Sequence, residues 1–128
     1  MIFPNTLLQL TFRVRTAIGF GIGVIDSSKL EQYQTSNIAD QPESSVFALN
    51  SGYVHQNGVF VSYGNKEPNA NSVVTMELDM NRHTLVLFVD GQRQPHSLAN
   101  IPQNVRFALS IHYKDRYADI LGFNDISA

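Results

Sequence analysis

The sequence predicts an all-β antiparallel domain, a sandwich or a barrel, and three observations carry that expectation. Apolar and polar residues alternate with a period of two in many short segments, turn residues recur at close spacing between them, and no segment sustains a helical period. The connections are mostly too short for parallel crossovers, so the strands should pair antiparallel.

The first strand is expected over residues 6–15, with Leu8, Leu10, Phe12 and Val14 on one face and Gln9, Thr11, Arg13 and Arg15 on the other, the mark of a strand with one wet face. Residues 18–25 repeat the period, with Ile18, Phe20, Ile22 and Val24 inward and Gly19, Gly21 and Gly23 between them. Glycines on that face point to close backbone approach or local bending. Residues 26–44 then lose the pattern in a polar stretch containing Pro42, longer than an ordinary connection and of the kind that usually carries function.

A meander follows, with strands over residues 45–50, 53–56 and 59–63 and turns at Ser51-Gly52 and Asn57-Gly58. Asn-Gly is a strong hairpin signal, because both residues accept the positive φ angles of a tight turn. A second polar loop occupies residues 64–71. Val74, Met76, Leu78 and Met80 then alternate with Thr75, Glu77 and Asp79, and the turn Asn81-Arg82-His83 leads into a strand over residues 84–89, ended by Asp90-Gly91. Residues 92–104 carry Pro95 and Pro102, which cannot donate to a ladder, and are expected to be irregular. Val105, Phe107, Leu109 and Ile111 resume the alternation, and residues 117–123 form the last strand. Phe12, Phe20, Phe107, Leu78 and Leu85 are expected in the core.

Composition narrows the function classes. The chain has 128 residues, 43% of them hydrophobic and 16% charged, with a formal net charge of -2, enough apolar material for one compact domain. Such a balance offers no surplus of Lys or Arg for a row of phosphates or an anionic bilayer, so neither nucleic acid nor a membrane is an expected partner. Cysteine is absent, which removes disulfides, thiol nucleophiles and thiolate metal sites and favours a reducing, cytoplasmic setting. The start, Met1-Ile2-Phe3-Pro4-Asn5, lacks a signal peptide pattern, and no run reaches the ~18 apolar residues of a membrane span.

Catalytic signatures are missing. His55, His83, His96 and His112 are scattered singly, without a second histidine or carboxylate at ligand spacing, and His55 and His112 fall on the outward phase of their strands. Gly19-Phe20-Gly21-Ile22-Gly23 lies inside a strand pattern and opens no helix, so the dinucleotide reading fails. Glu77 and Asp79 share one polar strand face, a spacing that suits a carboxylate pair or calcium in principle and a solvated face in general. The expectation is no enzyme, no cofactor and no metal.

Residues Leu78-Asp79-Met80-Asn81-Arg82-His83-Thr84-Leu85-Val86-Leu87-Phe88-Val89-Asp90-Gly91 resemble the SPRY (B30.2-like) family, whose members read Leu-Asp, four turn residues, Thr-Leu, an alternating aromatic strand and Asn-Gly or Asp-Gly. Ile22-Gly23-Val24 is similar to the family's Ile-Gly-Val strand, and Gly52-Tyr53 through Asn57-Gly58 to its meander, so the likeness covers most of residues 6–123. The chain departs from the family in lacking Trp altogether and in carrying His83 where Gly is usual; His is among the few residues that tolerate the left-handed region. The strand that usually precedes Thr6 is shortened or missing, so residues 1–128 read as one SPRY-like domain within a longer polypeptide.

The resemblance implies two packed antiparallel sheets, the concanavalin A-like sandwich, and a non-enzymatic module that recognises a protein or short peptide through loops at one rim. The family's pocket is commonly built from the loop after the Ile-Gly-Val strand and the loop before the last strand, here residues 26–44 and 112–116. Tyr33, Tyr113 and Arg116 are the first candidates for partner contact, with Tyr63 and His112 next, because Tyr and Arg offer large contact area with a polar end. A loop tyrosine that merely lids the core is the plainer reading of each. A lectin-like sugar-binding module is the alternative, since residues 74–79 are also similar to the carboxylate-bearing strand of legume-type lectins, although Met80-Asn81-Arg82-His83 does not supply the further ligands such a site needs. A purely structural domain is a third reading. Self-association through an edge strand near the N-terminus is a further expectation.

Overall fold

The computed structural model describes residues 7–14, 20–26, 44–49, 51–111 and 118–125. Among them ten strands form: β1 (Leu7–Val14), β2 (Phe20–Asp26), β3 (Ser44–Ala48), β4 (Tyr53–Gln56), β5 (Val59–Tyr63), β6 (Val73–Asp79), β7 (Thr84–Val89), β8 (Gln92–Arg93), β9 (Val105–Ile111) and β10 (Ala118–Asp125). They build two five-stranded sheets, ordered β10-β1-β6-β7-β8 and β5-β4-β3-β2-β9. Every pairing between named strands is antiparallel.

The alternation in the sequence is the physical cause of the two layers. Along β1, β6 and β7 every second residue is buried, which turns Leu10, Phe12, Val74, Met76, Leu85 and Leu87 inward. From the second sheet Ile22, Val24, Phe47 and Val54 join them in one apolar cluster, and each such side chain fully buried contributes about 1.5–3 kcal/mol. On the other face of the first sheet β1 and β6 pair polar side chains, beside Val86 and Phe88 of β7. There Gln9 donates from Nε2 to Glu77 Oε2 at 3.1 Å, and the hydroxyls of Thr11 and Thr75 lie 3.2 Å apart, each pair directly opposite in register.

The second sheet is different, because β2 is buried on both faces from Gly21 to Ile25. On its outer side Ile25 and Val46 form a second apolar cluster with Ala108 packed against it. Gly23 sits between Val46 and Ala108 in register, and a Cβ there would run into the backbone carbonyl of Ser45. The close approach expected from the glycines of this strand is therefore real at Gly23.

Turn chemistry fixes the register. Asn57 and Gly58 have φ of 55° and 78°, and Asp90 and Gly91 have 50° and 80°, the paired positive values of two-residue hairpin turns. His83 adopts φ 53°, so histidine does stand in a left-handed position. Its Nδ1 lies 2.8 Å from the Ile101 carbonyl oxygen, and Ile101 N–H donates to the His83 carbonyl at 3.0 Å. Just before it, Asp79 Oδ1 accepts from the N–H groups of Asn81 and Arg82 at 2.9 and 3.2 Å.

Asp90 does more than turn the chain, since Oδ1 accepts from Val73 N–H at 2.9 Å and Oδ2 from the Ser72 hydroxyl at 3.0 Å. Asp90→Ala removes both bonds and leaves alanine at a positive φ, at an expected cost of about 1–3 kcal/mol. The check is a lower urea midpoint with an unchanged slope.

Two expectations need correction. Residues 92–104 are not wholly irregular, because Gln92 and Arg93 form β8 against Val89 and Phe88: the tight Asp90-Gly91 turn throws them back onto β7, and beyond Pro95 Leu98 pairs with Leu85 in a single bridge. The N-terminal strand is also not an edge, because the last strand returns beside the first and brackets β1 between β10 and β6. Of the residues expected in the core, Phe12, Leu78 and Leu85 are fully buried and Phe107 is partly so; the side chain of Phe20 lies outside the description.

Candidate functional site

The second sheet ends at β5, and the β4–β5 hairpin presents aromatic side chains to solvent. On β4, Val54 points inward, so Tyr53 and His55 take the outer face. On β5 the register carries one extra residue: Tyr63 pairs with Tyr53, Ser62 with Val54 and Phe60 with His55, leaving Val61 as a bulge. A bulge restarts the alternation, and this one places Phe60 and Tyr63, three apart in sequence, on the same face.

Four rings gather there. Tyr53 and Phe60 meet edge to face with centroids 5.1 Å apart, Phe60 and Tyr63 stack at 6.4 Å, Tyr53 and Tyr63 lie 6.1 Å apart, and His55 stands 6.2 Å from Phe60. Tyr53, Phe60 and Tyr63 nonetheless remain 44%, 49% and 67% exposed, values far above those of aromatic rings that serve a core. No Asp, Glu, Lys or Arg occurs between residues 44 and 65, so the hairpin brings no carboxylate, ammonium or guanidinium group to this face.

The base of the hairpin is tied down. Gly52 has φ 70°, its carbonyl accepts from the N–H groups of Gly64 and Asn65 at 3.2 and 3.3 Å, and a Cβ on it would strike the Asn65 carbonyl. The buried Asn65 side chain exchanges bonds with the His96 backbone, donating at 3.1 Å and accepting at 2.9 Å, while Lys66 N–H donates to Gln94 Oε1 at 2.6 Å. At the other end Gln56 Nε2 reaches the Ser45 hydroxyl at 3.1 Å and the Ala99 carbonyl at 2.6 Å. A face held in this way is pre-organised, which lowers the entropy lost on binding.

Of the residues singled out by sequence, the structure places Tyr63 in this face. Tyr33, His112, Tyr113 and Arg116 lie outside the described residues. Sequence alone does not group Tyr53 and Phe60 with Tyr63, because strict alternation would put Phe60 on the opposite face of β5. The face consists of two phenol rings, one phenyl ring and one imidazole. Among the described residues no three His, Cys, Asp or Glu side chains come close enough to hold a metal. Glu77 and Asp79, the pair on which a sugar-binding metal site would draw, are engaged with Gln9 and with the turn at residues 79–82.

Comparison of the sequence with family models and with curated proteins gives no match. Solved structures do match. The SPRY domain of human HERC1 superposes with a TM-score of 0.68 at 14% identity, covering 98% of this chain and 78% of that one. The PSpry domain of TRIM65 gives 0.74 at 15%, covering 95% and 66%, and a human SPRY domain 0.67 at 11%, covering 94% and 80%. The fold is the SPRY fold. Within this SPRY sandwich the aromatic face lies on the outer side of an edge hairpin, away from the packed core. The chain spans 66% of the TRIM65 domain structure that it matches. Among the described residues no helix is long and apolar enough to cross a membrane.

Proposed function

We propose that this chain is a non-enzymatic module that binds a protein or a short peptide, with the outer face of the β4–β5 hairpin as a contact surface. The observation that carries the reading is the neutral group of Tyr53, Phe60 and Tyr63, 44–67% exposed on a tied-down hairpin. Aromatic side chains supply much contact area for little lost freedom, and binding energy concentrates on such residues. The lack of charge over residues 44–65 favours a ligand whose contacting segment is apolar or neutral, and gives phosphate backbones and anionic lipids nothing to pair with. Tyr33, His112, Tyr113 and Arg116 are proposed as further contacts on sequence grounds. The absence of cysteine supports placing the module in a reducing, cytoplasmic setting.

The test starts from peptides selected against the folded chain from a random display library. Tyr53→Ser/Phe60→Ser/Tyr63→Ser is expected to weaken the selected peptide at least ~30-fold, the equivalent of about 2 kcal/mol. Loss of the cross-strand ring pairs, each of about 0.2–1 kcal/mol, is expected to lower its melting temperature by a few degrees, so binding is compared at a temperature where circular dichroism shows both proteins folded. Equal affinity for the variant would overturn the proposed face.

A further inference from the structure

β10 closes the first sheet, and among the described residues nothing pairs with its outer edge. Its register on β1 places Ile120 opposite Phe12 and Phe123 opposite Leu10, with Leu121 as the extra residue of a bulge. Phe12 and Leu10 point into the core, so Ile120 and Phe123 face the interior side of the sheet as well. They are nevertheless 58% and 56% exposed, and Phe123 meets the ring of Phe107 on β9 edge to face at 5.7 Å. Among the described residues the sandwich is thus open along the side where β9 and β10 end the two sheets. Natural edges are usually protected by charge, Pro, a bulge or short length; β10 runs over eight residues, has no Lys, Arg or Pro, and carries its carboxylates, Asp119 and Asp125, toward its ends on either side of the bulge.

We propose that the outer edge of β10 pairs antiparallel with β10 of a second copy of this chain. A two-fold axis between Leu121 and Gly122 sets Ile120 opposite Phe123 of the other copy, and Phe123 opposite its Ile120. Residues directly opposite in an antiparallel pair share a face, so both apolar pairs fall on the interior side, where each copy leaves them uncovered. The same register sets Asp119 opposite Asn124 and puts no two carboxylates directly opposite each other. Leu121, 49% exposed, lies at the axis. The edge backbone and these side chains together bury on the order of 800 Å² in the pair, at the low end of interface sizes, so the dimer is weak and concentration-dependent. It is independent of the proposed ligand face, which lies on the other sheet.

The test uses the whole 128-residue chain. In sedimentation velocity the wild type is expected to shift from monomer toward dimer as concentration rises, and Ile120→Lys to remain monomeric. Because the chain has no cysteine, an introduced thiol reports register directly. Ile120→Cys mixed with Phe123→Cys is expected to give a disulfide-linked dimer under mild oxidation. Either variant alone should not, since like positions lie about 10 Å apart along the strands, beyond the ~7 Å Cα separation a disulfide can bridge. A wild type that stays monomeric at every concentration, or equal cross-linking in the single-variant samples, would overturn the proposal. Tyr53→Ser/Phe60→Ser/Tyr63→Ser is expected to dimerise like the wild type, so loss of the peptide ligand and loss of the dimer are separately readable.

Discussion

Gly23→Ala is expected to cripple folding, with a fall in melting temperature of at least ~10 °C from roughly 3 kcal/mol of lost stability. The added Cβ would overlap the carbonyl of Ser45 and lie 2.8 Å from Val46 Cα, and both obstacles are backbone, so no rotamer change relieves them. Gly23 stands in β2 with β3 on one side and β9 on the other. Making room therefore means parting an internal strand pair, whose hydrogen bonds and whose cover over Val46 and Ile25 are lost together. Gly122→Ala is the control. It also adds a methyl to a strand glycine, but its nearest contact is Asn124 Nδ2 at an ordinary 3.5 Å, and its melting temperature should stay close to that of the wild type. Thermal unfolding followed by circular dichroism compares the two.

Phe12→Ala is expected to remove about 3–5 kcal/mol, because a fully buried ring is replaced by a cavity that the surrounding side chains fill only in part. Phe12 lies in the middle of β1, opposite Val74 on one neighbour and Ile120 on the other, within the cluster that joins the sheets. Against a total of about 5–15 kcal/mol for a typical domain, that loss leaves little margin. Denaturant titration should show a midpoint far below the wild-type value. Phe123→Ala, on the same inward side but 56% exposed, should lose only a small part of that amount, and a comparable loss from both would contradict the burial described here.

The fold was largely legible because its devices are local. Asn57-Gly58 and Asp90-Gly91 pin the hairpins, and the strands beside them, Tyr53–Gln56, Val59–Tyr63 and Thr84–Val89, have the bounds that the alternation indicates. Strand order is a different matter. Nothing in the composition of β1 says that β10 will return beside it, so an N-terminal edge is a natural but wrong expectation. The two-residue β8 is too short to show a period. At the candidate site, Tyr63 is legible as an aromatic residue beside a polar loop. Phe60 is hidden by the bulge at Val61, which carries no glycine to betray it, although the uncharged run over residues 44–65 is visible in the sequence and marks the region. Tyr33, His112, Tyr113 and Arg116 rest on residue type, loop position and resemblance, since the packing around Tyr53 and Phe60 says nothing about them.

The central claim is that this SPRY-fold chain binds a protein or peptide through the outer face of β4 and β5. The most direct measurement is a ¹⁵N–¹H correlation spectrum of the chain titrated with a display-selected peptide. The largest shifts are expected at Tyr53, His55, Phe60 and Tyr63 and at their neighbours in register, Val46 and Ala48 on β3. Shifts concentrated on the outer face of the first sheet, around Gln9, Thr75 and Glu77, with residues 53–63 unmoved, would contradict it.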